Sequence, residues 1–307
     1  MILNILFIVI GIVLVLWGAD RLTDGAVAVA EKMKMPQIVI GLTIVAMGTS
    51  MPEFCVSLIS ALKGTSDLAV GNIVGSNIFN TLLIVGVSAL VAPMSIMKTT
   101  VRKDIPFALV ASALLLIMCL DEDISRIDAA ILFVMFLIFM YITLRGAKAQ
   151  GTDVEEKEKK SMATWLSVVW ILVGLACLIG GSNLFVDGAT VVATKLGVSE
   201  AVIGLTIVAG GTSLPELATS VVSARKGNSG IAIGNVLGSN VFNILAILGL
   251  TGVISPMTLK GITMTDLSMM VISIILIWLF SFTKYKIERW EGAILTAVFV
   301  GYIYSLL

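Results

Sequence analysis

Glu53 and Glu216 each lie in a stretch that is otherwise apolar, with no Lys or Arg near them along the chain. Around them the spacing repeats. Ala46, Thr49, Ser50 and Glu53 stand at i, i+3, i+4 and i+7, as do Ala209, Thr212, Ser213 and Glu216. On a helix each set shares one face. Ser76 and Asn80 share a face at i, i+4, and so do Ser239 and Asn243. Every side chain in these sets except alanine offers oxygen. Hard cations such as Na⁺ and Ca²⁺ take oxygen ligands, with carboxylates supplying the charge, whereas soft metals take Cys or His. The chain has no histidine, and no cysteine falls on these faces. The bland alternative, an interfacial or ion-paired glutamate, lacks a basic neighbour in both places.

Pro52 and Pro215 add backbone oxygen to the pattern. Proline carries no N–H, so the carbonyls four residues earlier, at Gly48 and Gly211, lose their helical donor. Glycine loosens the backbone at the same place, as Gly48 in one copy and Gly210-Gly211 in the other. A helix broken here is expected to turn carbonyls around Ala46 and Ala209 toward an ion. Irregular backbone at membrane depth is tolerated only where it lines a site or is buried in protein.

The elements that must hold these groups are membrane helices. Of 307 residues, 58% are hydrophobic and 13% charged, about half the charge of a soluble domain. Apolar runs of roughly 16 to 22 residues recur along the chain, enough to cross a hydrocarbon core. The reading is an all-α polytopic membrane protein of about ten transmembrane helices, near 2–30, 37–61, 68–91, 104–120, 126–145, 164–194, 200–224, 231–254, 267–283 and 290–306. Residues 146–163 form a polar linker around the charged run 153–160. They separate a first five-helix repeat (1–145) from a second (164–307). The first apolar run, from Ile2, has no basic leader or small-residue cleavage site and is read as a retained helix.

The two parts are copies. Residues 41–80 align with 204–243 at an offset of 163 without a gap, with about 25 of 40 positions identical. The same offset pairs Gly18 with Gly181, Asp24-Gly25 with Asp187-Gly188, and Pro93 with Pro256. Five helices is an odd number, so the second copy enters the membrane from the opposite face. With the N-terminus outside, the inner loops carry about 15 Lys and Arg and the outer loops 4, the asymmetry that sets orientation. Both termini are then extracellular and the linker cytoplasmic. Lys63 and Lys226 are repeat mates on opposite sides. Inverted repeats are common in secondary transporters, which bind substrate where the repeats meet.

Other features read as architecture. Gly71, Gly75, Gly234 and Gly238 are small residues for close helix packing, which would bring Ser76 and Asn80 up to the glutamate helix. Asn72, Asn77, Asn235 and Asn240 orient ligands or bridge helices. Asp24 and Asp187 are capping or packing residues, and Asp20, Arg21 and Asp24 form a local ion pair. Met and Phe are ordinary packing. The absence of histidine excludes Ser-His catalysis and imidazole relays. Cys55, Cys119 and Cys177 stand singly, without a disulfide framework or a Cys-x-x-Cys pair. Zero net charge and the lack of a basic stripe exclude a nucleic-acid partner.

The segments GLTIVAMGTSMPEF with GNIVGSNIFN, and GLTIVAGGTSLPEL with GNVLGSNVFN, resemble the two alpha repeats of the calcium/cation antiporter superfamily, and within it the prokaryotic sodium/calcium exchangers. The similarity runs the length of the chain. It implies four central ion sites in a diamond, one preferring Ca²⁺ and others taking Na⁺. The implied ligands are Ala46 (carbonyl), Thr49, Ser50, Glu53, Ser76 and Asn80, with Ala209 (carbonyl), Thr212, Ser213, Glu216, Ser239 and Asn243. It also implies that the first and sixth helices slide across a rigid bundle to alternate access. Potassium-dependent relatives carry Asp where this chain has Asn243, so the resemblance implies potassium independence and two carboxylates in the site. The expected function is Na⁺/Ca²⁺ antiport in the plasma membrane, by a lipid-embedded monomer with no cofactor and no enzymatic activity. H⁺/Ca²⁺ antiport, with the same glutamates taking protons, is the alternative. A passive channel and an intramembrane hydrolase built on Ser50 and Glu53 rank lower, the latter because a nucleophile's base is usually oriented by a third group.

Overall fold

The computed structural model describes residues 2–150, 162–197 and 209–306, which are mainly helical. In chain order the helices are α1 (Ile2–Lys32), α2 (Gln37–Thr49), α3 (Met51–Leu62), α4 (Ser66–Val91), α5 (Thr100–Asp121) and α6 (Arg126–Gln150). They continue as α7 (Thr164–Lys195), α8 (Ala209–Thr212), α9 (Leu214–Arg225), α10 (Ser229–Ile254), α11 (Met264–Ser281) and α12 (Arg289–Leu306). Among the described residues seven helices are long and apolar enough to cross a membrane, and α2 with α3, bent by 49°, makes an eighth. The spans expected at 200–224 and 290–306 are not in that set. Residues 200–208 lie outside the described residues. The helix α12 carries Arg289 and Glu291 in its first turn, which lowers its apolarity. The expected linker lies mostly at 151–161, outside the described residues, while α6 runs on to Gln150.

The two breaks have one cause. Ser50 (φ −83°, ψ 9°) separates α2 from α3, and Ser213 (φ −92°, ψ 7°) separates α8 from α9. Both sit in the sparsely populated bridge region, and each following helix has its proline, Pro52 or Pro215, in the first turn. Proline suits a first turn, where no donor is needed. Helices α2, α4 and α10 also widen into π-turns at Gly41–Val45, Phe79–Ile84 and Phe242–Leu248. The last two contain Asn80 and Asn243.

The packing follows the repeat. Helices α1 and α7 run antiparallel along a glycine seam. A Cβ on Gly11 would meet the Gly181 carbonyl at 2.6 Å, one on Gly18 the Gly174 carbonyl at 2.8 Å, and one on Gly25 the Ser167 carbonyl at 2.7 Å. Two short antiparallel ladders tie the halves together: Met94 pairs with Ile287, and its repeat mate Met257 pairs with Ile124. Phe79 stacks edge-on against Phe299 at 5.4 Å, and Phe242 against Phe136 at 5.6 Å. These are again repeat-related pairs. The two copies therefore interlock instead of forming separate lobes. Helices α10 and α4 are the centre, 94% and 72% buried over their most apolar windows, against 22% for α1 and 28% for α7. Ile2, Leu6, Val13 and Leu16 of α1 face outward, as apolar side chains do against lipid.

Candidate functional site

Each break aims a serine across the centre of the bundle. With α2 stopped at Thr49, Ser50 Oγ donates to Glu216 Oε1 at 2.9 Å. With α8 stopped at Thr212, Ser213 Oγ donates to Glu53 Oε1 at 3.0 Å and lies 3.2 Å from Ser76 Oγ. Ser76 and Ser239, from α4 and α10, donate to Glu53 and Glu216 at 3.4 Å each. The two glutamates are thus linked reciprocally through the opposite repeat. Both are essentially unexposed, and among the described residues no basic side chain pairs with them.

The asparagines complete the ring. Asn72 Nδ2 donates to the Glu53 main-chain carbonyl at 3.2 Å and lies 3.0 Å from Ser57 Oγ; Asn235 makes the same contacts to Glu216 and Ser220. Asn235 Oδ1 also accepts from Thr49 Oγ1 at 3.1 Å. Asn80 Nδ2 donates to Asn240 Oδ1 at 3.2 Å, and Asn243 Nδ2 to Asn77 Oδ1 at 3.1 Å. With their NH₂ groups spent sideways, Asn80 and Asn243 turn their carbonyl oxygens elsewhere. Four buried oxygens here have no donor: Glu53 Oε2, Glu216 Oε2, Asn80 Oδ1 and Asn243 Oδ1. Buried acceptors are almost always satisfied, and leaving one bare costs about 1–3 kcal/mol, more if charged. A cation satisfies several such oxygens at once.

Among the described residues no three His, Cys, Asp or Glu side chains cluster as a metal site, and all three cysteines are free. The centre therefore holds two carboxylates with neutral oxygens around them. A cavity of about 470 Å³ reaches it from one side, lined by Gly75, Ser76, Gly210, Asp266 and Tyr302 among others.

Of the sequence-selected residues, Thr49, Ser50, Glu53, Ser76, Asn80, Ser213, Glu216, Ser239 and Asn243 are buried at this centre, and half-buried Thr212 closes α8 beside it. The Ala46 carbonyl keeps a helical donor, Ser50 N at 3.0 Å, and lies 3.3 Å from Thr49 Oγ1, because the break falls after it. Ala209 opens the short helix α8. The carbonyl that Pro215 strips of its donor, at Gly211, is instead taken by the Ser182 hydroxyl of α7.

Outside the centre, Gly234 and Gly238 pack on α2, where a Cβ would lie 2.6–2.7 Å from Ile38 and Leu42. Their mates Gly71 and Gly75 border the cavity instead. Asp24 does not cap a helix: it accepts from Lys226 at 2.7 Å, while Arg21 lies 2.5 Å from Asp20. Sequence reasoning passed over the glycine seam. Its signal was present in Gly11, Gly18 and Gly25, which recur every seven residues, as do Gly174, Gly181 and Gly188.

The family model described as sodium/calcium exchanger protein matches residues 3–145 and 166–307. The chain is 38% identical to the putative antiporter CaxA of Alkalimonas amylolytica, over 100% of this chain and 99% of that one. It is 32% identical to the sodium/calcium exchanger MaX1 of Methanosarcina acetivorans, over 99% and 98%. Among solved structures it is similar to the sodium-calcium exchanger NCX_Mj soaked with zero Na⁺ and Ca²⁺. That match has a TM-score of 0.88 and 31% identity, covering 100% of this chain and 99% of that one.

Proposed function

Because this chain belongs to the sodium/calcium exchanger protein family, we propose that it is a secondary active antiporter that exchanges Na⁺ for Ca²⁺ across the plasma membrane by alternating access. The observation that carries the proposal is the set of four buried oxygens without donors, on Glu53, Glu216, Asn80 and Asn243. Together with the hydroxyls of Thr49, Ser50, Ser76, Thr212, Ser213 and Ser239 and the carbonyls of Ala46 and Ala209, they form the ion ligands of this reading. All are hard donors, which matches Na⁺ and Ca²⁺.

The charges define the exchange. Two ionised glutamates are neutralised by one Ca²⁺. Three Na⁺ leave the same centre at +1, so the two loads differ in charge and the exchange is electrogenic. Binding either load frees the serine hydroxyls from the carboxylates and redirects their lone pairs to the ion. In this reading the fold is ten membrane helices in two inverted five-helix repeats, 1–145 and 164–307, joined by a cytoplasmic linker, with both termini outside. The antiparallel pairing of α1 with α7, which are repeat mates, supports the inversion. Their length supports sliding: 31 residues span roughly 45 Å, more than the hydrocarbon core of about 30 Å. The transporter works as a monomer in lipid, with no cofactor.

The test is Ca²⁺ uptake into proteoliposomes at fixed pH, driven by an outward Na⁺ gradient. Uptake that collapses when the gradient is dissipated is the expected result. Uptake driven by a pH gradient and indifferent to Na⁺ would replace this reading with H⁺/Ca²⁺ antiport.

A further inference from the structure

The two asparagines that face the site are held differently. Thr81, one turn beyond Asn77 on α4, donates its hydroxyl proton to the Asn77 main-chain carbonyl at 2.6 Å. A hydroxyl has one proton, so Thr81 Oγ1 can then only accept. It accepts from Asn240 Nδ2 at 2.7 Å. That contact turns the other end of the Asn240 amide, Oδ1, toward Asn80, which must meet it with Nδ2, at 3.2 Å. Asn80 Oδ1 is left pointing away with no donor. Each step dictates the polarity of the next, and the chain begins at a backbone carbonyl that cannot be reversed.

The opposite repeat starts without a hydroxyl. The residue equivalent to Thr81 is Ile244. There Asn77 Nδ2 reaches only the Asn240 main-chain carbonyl at 3.3 Å and the Met270 sulfur at 3.9 Å, while its Oδ1 accepts from Asn243. The ligand sets are the same in the two repeats, and Thr81 is where the supports diverge.

We propose that Thr81 is a positioning residue for cation binding: its hydroxyl sets the direction of the Asn240–Asn80 amide chain, so that Asn80 presents oxygen and not NH₂ to the ion. This rests on the reading above that Asn80 is an ion ligand. It also makes the two halves of a near-symmetric site inequivalent, with Asn80 the more rigidly aimed carbonyl. Thr81 is fully buried within the bundle and acts through Asn240.

The test compares Thr81→Val, which keeps the shape and removes the hydroxyl, with Thr81→Ser, which keeps the hydroxyl. Two assays are run on the purified full chain: the Ca²⁺ and Na⁺ concentrations that half-saturate thermal stabilisation in detergent, and KM and maximal rate of Ca²⁺ flux in proteoliposomes. Loss of a group that orients a ligand weakens metal affinity by about 10–100-fold. Thr81→Val should therefore raise the Ca²⁺ midpoint and KM at least about tenfold with the maximal rate retained, and Thr81→Ser should restore both. Thr81→Ala adds no atoms and carries the same expectation if the valine variant does not purify as one species. Midpoints unchanged in Thr81→Val or Thr81→Ala, or lost equally in Thr81→Ser, would overturn the proposal. Wild-type protein that binds cations without coupled flux would overturn the exchange reading and leave the midpoints to judge Thr81. Wild-type protein indifferent to both cations would overturn both.

Discussion

Lys226, at the end of α9, reaches α1 and places its ammonium 2.6 Å from the Asp20 carboxylate. It also lies 2.7 Å from Asp24, and Arg21 joins the cluster over the Trp17 and Trp170 rings at 5.8 and 5.1 Å. Next to it, Thr23 and Ser223 are hydrogen-bonded at 2.9 Å. The repeat-related residues behave otherwise. Lys63 and Asp187 are exposed and have no ion-pair partner among the described residues; Asn183 stands in place of Asp20 and Leu184 in place of Arg21. Among the described residues, one end of the α1–α7 pair is therefore tied to the bundle by ion pairs and the other carries none.

If α1 and α7 slide as proposed, Lys226 would hold one extreme of the movement. Partly exposed ion pairs contribute about 0–1 kcal/mol each, enough to shift a population several-fold but not to hold a fold. Lys226→Met should leave the melting temperature nearly unchanged while a cysteine at Ser223, in a background lacking Cys55, Cys119 and Cys177, labels faster with a membrane-impermeant thiol reagent applied to the cytoplasmic face. Labelling at the wild-type rate would mean the cluster does not hold the helices together.

Glu53→Gln or Glu216→Gln should each abolish Ca²⁺ transport while leaving a monodisperse protein. A divalent ion in a poorly solvated centre needs compensating charge, and each glutamate supplies half of what is present. Gln preserves the shape, and its oxygen can still accept from the serines. Radiolabelled Ca²⁺ uptake at the wild-type rate in either variant would remove the carboxylates from the site.

With an amide at Asn243, wild-type exchange should be electrogenic and indifferent to K⁺. Proteoliposomes with K⁺ replaced by choline and the membrane potential clamped at several values read both properties. A requirement for K⁺, or a rate independent of voltage, would contradict this assignment. Asn243→Asp would crowd a third carboxylate beside Glu53 and Glu216. A third negative charge changes how the centre balances its two loads, so flux in that variant should shift its relative dependence on Na⁺ and Ca²⁺.

The glycine seam makes a sharp stability prediction. A methyl group on Gly181 would lie 2.8 Å from the Gly11 carbonyl, whereas one on the adjacent Gly180 meets nothing within 4 Å. Gly181→Ala should destabilise by about 1–3 kcal/mol through overpacking. Gly180→Ala, on the same helix, should be neutral or stabilising by up to about 1 kcal/mol through helix propensity. Melting temperatures in detergent separate the two. Equal behaviour would show that α1 and α7 do not pack through this face.

Orientation is tested with single cysteines in the cysteine-free background. Position 63 should react with an impermeant reagent only from outside and position 284 only from the cytoplasm, as the loop charge bias requires. Reaction of both from one side would rule out the five-plus-five inverted arrangement.

Much of this protein was legible before any coordinates. Helix positions follow from apolar runs, because a lipid-facing helix must be apolar nearly throughout, and the spans at 2–32, 66–91 and 164–195 lie within a few residues of those expected. The oxygen-bearing residues were legible because polar groups are too costly to leave in such runs without a partner. The duplication told which residues are equivalent. Other features are properties of contact, and a linear pattern does not carry them. Equivalence at an offset of 163 says nothing of which mate touches which. That Ser50 serves Glu216 and Ser213 serves Glu53 arises because the two broken helices cross. The bend at Ser50 could be anticipated from Pro52, but its placement after Ala46, which leaves that carbonyl its helical donor, depends on where packing lets the chain turn. Thr81 is an ordinary threonine in sequence; it acquires a role only because Asn240 of the opposite repeat ends 2.7 Å from its oxygen. Composition and periodicity are enough to say which groups must be buried, since burial is a matter of solvent. Which acceptor each buried donor finds is a matter of distance and angle between segments far apart in the chain, and folding alone brings them within reach.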